Sequence, residues 1–96
     1  MRYARHAFLS PHAQVRMQQR AITAEVLERL LDFGTERHLA RDKDIVFFDK
    51  KARKRLVKAD KELAREAERL VRTYAVLAGN GIVVTVGHRY RRIQRI

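Results

Sequence analysis

Val71-Arg72-Thr73-Tyr74-Ala75-Val76-Leu77-Ala78-Gly79-Asn80-Gly81-Ile82-Val83-Val84-Thr85-Val86-Gly87 sets the architecture of this chain. Val71 to Ala78 is rich in β-branched and aromatic residues, the types that suit a pleated, half-buried surface. Gly79-Asn80-Gly81 follows, three residues that accept positive φ and so permit a tight hairpin turn. Ile82 to Gly87 answers as the partner strand, and its nearly unbroken apolar character predicts a central position in a sheet. Antiparallel pairing of 72–78 with 82–88, burying Val84 or Val86, is the expectation.

Working outward from that hairpin, Arg37-His38-Leu39-Ala40 and Asp44-Ile45-Val46-Phe47-Phe48 read as a second pair of strands about a turn at Arg41-Asp42-Lys43. Between the hairpins, Asp49 is a candidate helix cap. After it Ala52, Leu56, Ala59, Leu63, Ala67 and Leu70 advance by three or four, one apolar stripe on an otherwise charged helix. Upstream, Ser10-Pro11 has the form of a helix start, a capping hydroxyl before a proline whose missing N–H is not needed there. That helix runs to about Arg20 with Ala13 and Met17 inward and Val15 beside them. Thr23 caps a second helix carrying Val26, Leu27, Leu30 and Leu31, which Gly34 ends. The predicted fold is α+β: two short N-terminal helices, an antiparallel sheet of four to five strands, and one long basic helix between the two hairpins. Arg89 to Ile96 supplies a last short strand or an ordered tail. At least one face of the sheet needs a helical cover to bury Phe47, Tyr74, Val76, Val84 and Val86.

With 96 residues, 46% of them apolar, the chain suits one domain over 1–96 with a modest core. It has no Cys, which excludes disulfides and thiolate metal sites and fits a reducing cytoplasm. No apolar run approaches the roughly 20 residues of a membrane-spanning helix, and the N-terminus lacks the apolar region of a secretory signal. The net charge is +11, an imbalance whose self-repulsion points to a partner of opposite sign. Its placement is uneven. Residues 1–20 carry four Arg and no acid, 21–49 four bases against seven acids, 50–72 ten bases against four acids, and 73–96 four Arg and no acid. Because the basic helix lacks a bulky aromatic face, nucleic acid is favoured over an anionic membrane.

The most specific motif is Leu9-Ser10-Pro11-His12-Ala13-Gln14-Val15-Arg16-Met17-Gln18-Gln19-Arg20-Ala21-Ile22-Thr23. On a helix His12, Arg16 and Arg20 lie four apart and share a face. A titratable imidazole beside two permanent cations suits a phosphodiester, with a proton carrier next to charge that stabilises a phosphorane-like transition state. The spacing alone equally allows a first-turn His with two solvated Arg. The run from Leu9 to Thr23, the Val/Leu helix ending at Gly34 and the closing Ile82-Val83-Val84-Thr85-Val86 strand resemble a family of small bacterial and phage proteins. It is the domain of unknown function family 4258. That family is grouped by fold with the RelE, colicin, barnase and EndoU-like ribonucleases, many of them toxins. The resemblance covers residues 9–34 well and 71–90 moderately, and His12, Arg16, Arg20 and Thr85 are the matching positions. The helix of 50–70 is longer than the family pattern. The resemblance implies a ribonuclease-like fold and, where activity is retained, RNA cleavage.

A second constellation is Thr85-Val86-Gly87-His88-Arg89-Tyr90-Arg91-Arg92. Should the end of this strand approach His12, the imidazoles of His12 and His88 would flank a phosphate as base and acid, with Arg16 and Thr85 beside them and no metal or other cofactor. Arg89, Arg91 and Arg92 with the interleaved Tyr90 suit a single-strand stacking patch. Arg20 and the run Lys50, Lys51, Arg53, Lys54 add a phosphate-facing surface. His6 and His38 are isolated, and Asp42-x-Asp44 is turn chemistry. Two readings follow from these residues. One is a metal-independent toxin-type endoribonuclease that uses the ribose 2′-OH as nucleophile. The other is a non-catalytic nucleic-acid-binding or inhibitory module of phage or plasmid origin. RNA or another nucleic acid is the expected partner, and an acidic antitoxin or inhibitor protein fits the same charge.

Overall fold

The computed structural model describes residues 8–59, 61–62 and 72–89. In chain order the elements are α1 (Pro11–Gln19), α2 (Ala24–Phe33), β1 (Thr35–Ala40), β2 (Lys43–Phe47), α3 (Lys50–Ala59), β3 (Thr73–Ala78) and β4 (Val83–His88). The four strands form one antiparallel sheet in the order β1-β2-β3-β4. Among the described residues this is an α+β arrangement with three named helices. The expected extension of the basic helix through Leu63, Ala67 and Leu70, and the last strand or tail after Arg89, lie outside the described residues. Within α3, Ala52 and Leu56 are buried, whereas Ala59 is exposed and leaves the expected stripe.

Local chemistry starts each helix where the sequence places it. The Ser10 hydroxyl accepts from the Ala13 amide at 3.0 Å and that of Thr23 from the Val26 amide at 3.2 Å. Asp49 Oδ1 accepts from the Ala52 amide at 2.8 Å. Gly34 ends α2 for a reason other than left-handed backbone. Its φ of −67° is open to any residue. A Cβ there would sit 2.5 Å from the Leu30 carbonyl oxygen and 2.6 Å from Val46 Cγ1, so a side chain is excluded by the approach of α2 to β2. Val15 is exposed, because Ala13 and Met17 alone face the core from α1.

All three helices contribute to a core on one face of the sheet. Ala13, Met17, Leu30 and Leu56 meet Val46, Ala75, Leu77, Val83 and Val86 there. Four of the five residues expected beneath the helices, Phe47, Tyr74, Val76 and Val84, instead lie on the opposite face with Ile45. The β3–β4 register explains part of the exchange. Val76 faces Thr85 but Leu77 faces Val83, so Val84 is an extra, bulged residue. The bulge turns both Val83 and Val86 inward, where simple alternation from Val86 would have buried Val84.

β4 is the outer strand of the four, not a central one. Its apolar character is matched by α1, which packs on it, and by the segment before α1, which pairs with its start. The Val83 amide donates to the Phe8 carbonyl and the Ser10 amide to the Val83 carbonyl, both at 2.9 Å. Burying a carboxylate at Val83 leaves it unpaired in the main core, a cost of several kcal/mol on the order of the whole stability of a small domain. Val83→Asp is therefore expected to abolish cooperative unfolding, and Val84→Asp to leave a folded, weakened protein by urea denaturation. Equal loss in the two variants would argue against the bulge.

Candidate nucleic-acid interface

Ser10 joins α1 to the sheet. While its oxygen caps Ala13, its hydroxyl donates to the carbonyl of the bulged Val84 at 3.1 Å. A buried carbonyl left over by the bulge is thus paired, and the first turn of α1 is held at the start of β4. His12 stands exposed in that turn. One turn on, Arg16 Nε donates to His12 Nε2 at 3.4 Å, which in this geometry makes the imidazole an acceptor at Nε2. Arg20 is exposed at the C-cap of the same helix. The structure therefore brings His12 and Arg16 together.

Thr85 lies opposite Val76, and Gly87 opposite Tyr74, on the sheet face away from the helices. The Tyr74 ring covers Gly87 so closely that a Cβ would meet its hydroxyl oxygen at 2.9 Å. His88 pairs with the buried Thr73 and so shares the helix-side face. Ser10 reaches β4 at Val83 and Val84, and His88 is four residues beyond, roughly 13 Å along the strand. The helix that carries His12 begins at one end of β4 and His88 marks the other.

The second concentration of charge is at that far end. Lys50, Lys51, Arg53, Lys54, Arg55 and Lys58 are all exposed, and α3 contains no acid. Arg89, read from the sequence as part of a single-strand stacking patch, is partly withdrawn from solvent. Its Nη2 donates to the Phe48 carbonyl at 2.7 Å, its guanidinium carbon lies 5.3 Å from the centre of the Phe47 ring, and its Nε is buried with no hydrogen-bond partner among the described residues. Burial first, then the neighbouring charge of Arg53, lowers its pKa, while Asp49 opposes the shift. Tyr90, Arg91 and Arg92 lie outside the described residues.

Asp49 is the link between these parts. Burial alone raises the pKa of its carboxyl. The Ala52 amide, the Thr35 hydroxyl and the charges of Arg55 and Arg37 more than offset that and hold it below its ordinary value. Arg37 on β1, which the sequence pattern did not single out, is therefore a charged neighbour of Asp49 together with Arg55 on α3. Nothing in local spacing relates position 37 to 49; only the β1–β2 pairing and the cap do so.

Among the described residues no three His, Cys, Asp or Glu side chains gather in a way that could hold a metal ion, and no helix is long and apolar enough to cross a membrane. Comparison with protein families, with curated proteins and with solved structures finds no match to this chain.

Because the carboxyl of Asp49 has a lowered pKa in the folded state, its contribution is present at neutral pH. It is lost as pH falls through that lowered value. Asp49→Ala should cost about 1–2 kcal/mol at pH 7, chiefly through the lost cap. The gap between variant and native protein should close on acidification, as read by denaturant midpoints across pH. A gap independent of pH would deny the charged form its role.

Proposed function

We propose that the protein binds RNA, through the outer face of α3 together with the Arg-bearing face of α1. The observation that carries this reading is α3 itself: six exposed cations in ten residues with no acid among them, anchored by two buried apolar residues. Such a face neutralises backbone phosphates and releases their counterions, which drives association whatever the base sequence. Net charge of +11 and the exposed Arg20 extend the same attraction. The resemblance of residues 9–34 to a family grouped with ribonucleases favours RNA over DNA. Lys50, Lys51, Arg53 and Lys54 contact phosphate in this reading, and an acidic inhibitor protein would compete for them.

The His12–Arg16 contact supports a second reading, a metal-independent endoribonuclease. When a phosphodiester draws Arg16 to itself, Nε2 of His12 is freed to take the proton of the 2′-OH. The 2′-oxygen bonds to phosphorus, the bond to the 5′-oxygen breaks, and the departing oxygen takes a proton from water. Arg16 and Arg20 stabilise the charge that develops on the phosphoryl oxygens. His88 and Thr85, further along β4, serve strand binding in this scheme rather than a shared proton transfer.

Binding measured by fluorescence anisotropy should weaken steeply with salt. Neutralising Lys50, Lys51, Arg53 and Lys54 together should lower the slope of log K against log salt by about 3 for single-stranded RNA. Salt-independent affinity would sink the polyanion reading. For the catalytic reading, His12→Ala should lose about 10²–10⁴-fold in cleavage rate with little change in affinity. EDTA should have no effect, and a 2′-deoxy residue at the cleaved position should leave the strand intact. No cleavage of diverse RNAs by native protein would leave the binding reading alone standing.

A further inference from the structure

Arg37, Arg53 and Arg89 lie about the junction of β2 and α3. Arg89 is fixed there by its bond to the Phe48 carbonyl and its position over Phe47. The backbone amide of Arg53 donates to the Asp49 carbonyl at 2.9 Å, which roots that side chain in the first turn of α3. Arg55 Nη2 donates to the Phe33 carbonyl at 3.1 Å. Arg37 comes from β1, opposite Ile45 and two residues from Thr35, which itself bonds Asp49. Against the three charges of Arg37, Arg53 and Arg89 stands the carboxylate of Asp49, and it is already occupied by the Ala52 amide and the Thr35 hydroxyl. Among the described residues none of the three guanidiniums lies within ion-pair distance of a carboxylate.

Holding like charges together is unfavourable unless an anion joins them. We propose that Arg53, Arg89 and Arg37, gathered around Asp49, form a binding site for a phosphate group that carries two negative charges. Asp49 already holds the Ala52 and Arg53 amides at the start of α3, and the donors of the proposed site are the guanidinium side chains. Planar guanidiniums match phosphate oxygens with paired, charge-assisted hydrogen bonds. A dianion suits the site better than an internal phosphodiester, because three cations against one carboxylate leave two positive charges, which a single negative charge offsets only in part. Inorganic phosphate and the terminal phosphate of a nucleic-acid strand share this chemistry. The inference refines the RNA reading by naming a strand end as the group held here, and it stands without RNA if free phosphate is the ligand.

The test titrates inorganic phosphate at constant ionic strength against native protein, Arg53→Gln, Arg37→Gln and Arg41→Gln, read by ³¹P NMR and by Tm. Arg53 and Arg37 are exposed, so their replacement leaves the fold standing. Arg41, exposed in the β1–β2 turn, is the control of equal charge. It lies roughly 17 Å away along β2, beyond a Debye length of about 8 Å. Saturable binding to native protein is expected, weakened by about 10-fold or more in Arg53→Gln and unchanged in Arg41→Gln. A parallel arm compares 5′-phosphorylated with 5′-hydroxyl RNA of one sequence. Tighter binding of the phosphorylated strand identifies a strand end as the source, and equal binding identifies free phosphate. No saturation, or equal weakening in Arg53→Gln and Arg41→Gln, would overturn the site. RNA binding that persists without phosphate saturation removes this site alone, and phosphate saturation without RNA binding removes the RNA reading alone.

Discussion

Asp49 sits where a basic chain most needs a negative charge. Its side chain ends the loop after β2, caps α3 through the Ala52 amide, takes the Thr35 hydroxyl from β1 and feels the charges of Arg37, Arg55 and Arg89. One carboxylate thus joins the start of the first strand, the end of the second and the first turn of the basic helix. The direction in which α3 presents its cations follows from that cap and from the burial of Ala52 and Leu56 beneath it. Three cations about one such group leave the region electropositive even after the cap is made.

Ser10 plays the equivalent part at the other end of β4. A bulge at Val84 frees a carbonyl, and the Ser10 hydroxyl takes it while its oxygen caps α1. The same bulge sends Val83 and Val86 into the core together, so the packing of α1 on β4 and the position of His12 and Arg16 share one cause. The protein therefore holds its two groups of candidate functional residues at opposite ends of one strand. A surface spread over that length suits an extended polyanion better than a single compact substrate.

Much of the candidate site was legible along the chain. His12 and Arg16 are in contact because a helix brings residues four apart onto one face, and the cations of α3 are exposed because Ala52 and Leu56 claim the inward face. The environment of Arg89 was not legible. An Arg next to Tyr90, Arg91 and Arg92 reads as one of a solvated basic run, yet it is drawn onto Phe47 and the Phe48 carbonyl by the closure of the sheet. Arg37 was hidden for the same reason, since its neighbour Asp49 is distant from it in sequence.

The sequence by itself determined the local events. Ser10, Thr23 and Asp49 begin helices because their side chains satisfy amides three residues on, and Gly79-Asn80-Gly81 turns a hairpin in which Gly81, at φ 85°, takes the positive φ that a glycine allows. Which face of each strand is buried was decided only by tertiary structure. In β2 both alternating sets are apolar, Ile45 with Phe47 and Val46 continuing to Phe48, and in β3 Tyr74 and Val76 compete with Ala75 and Leu77. Local alternation cannot choose between two apolar faces. The choice falls to the helices, which cover the set holding Val46, Ala75 and Leu77. The small Ala75 lies on that covered face, Gly34 lets α2 approach β2, and the bulge at Val84 brings Val83 into the same layer.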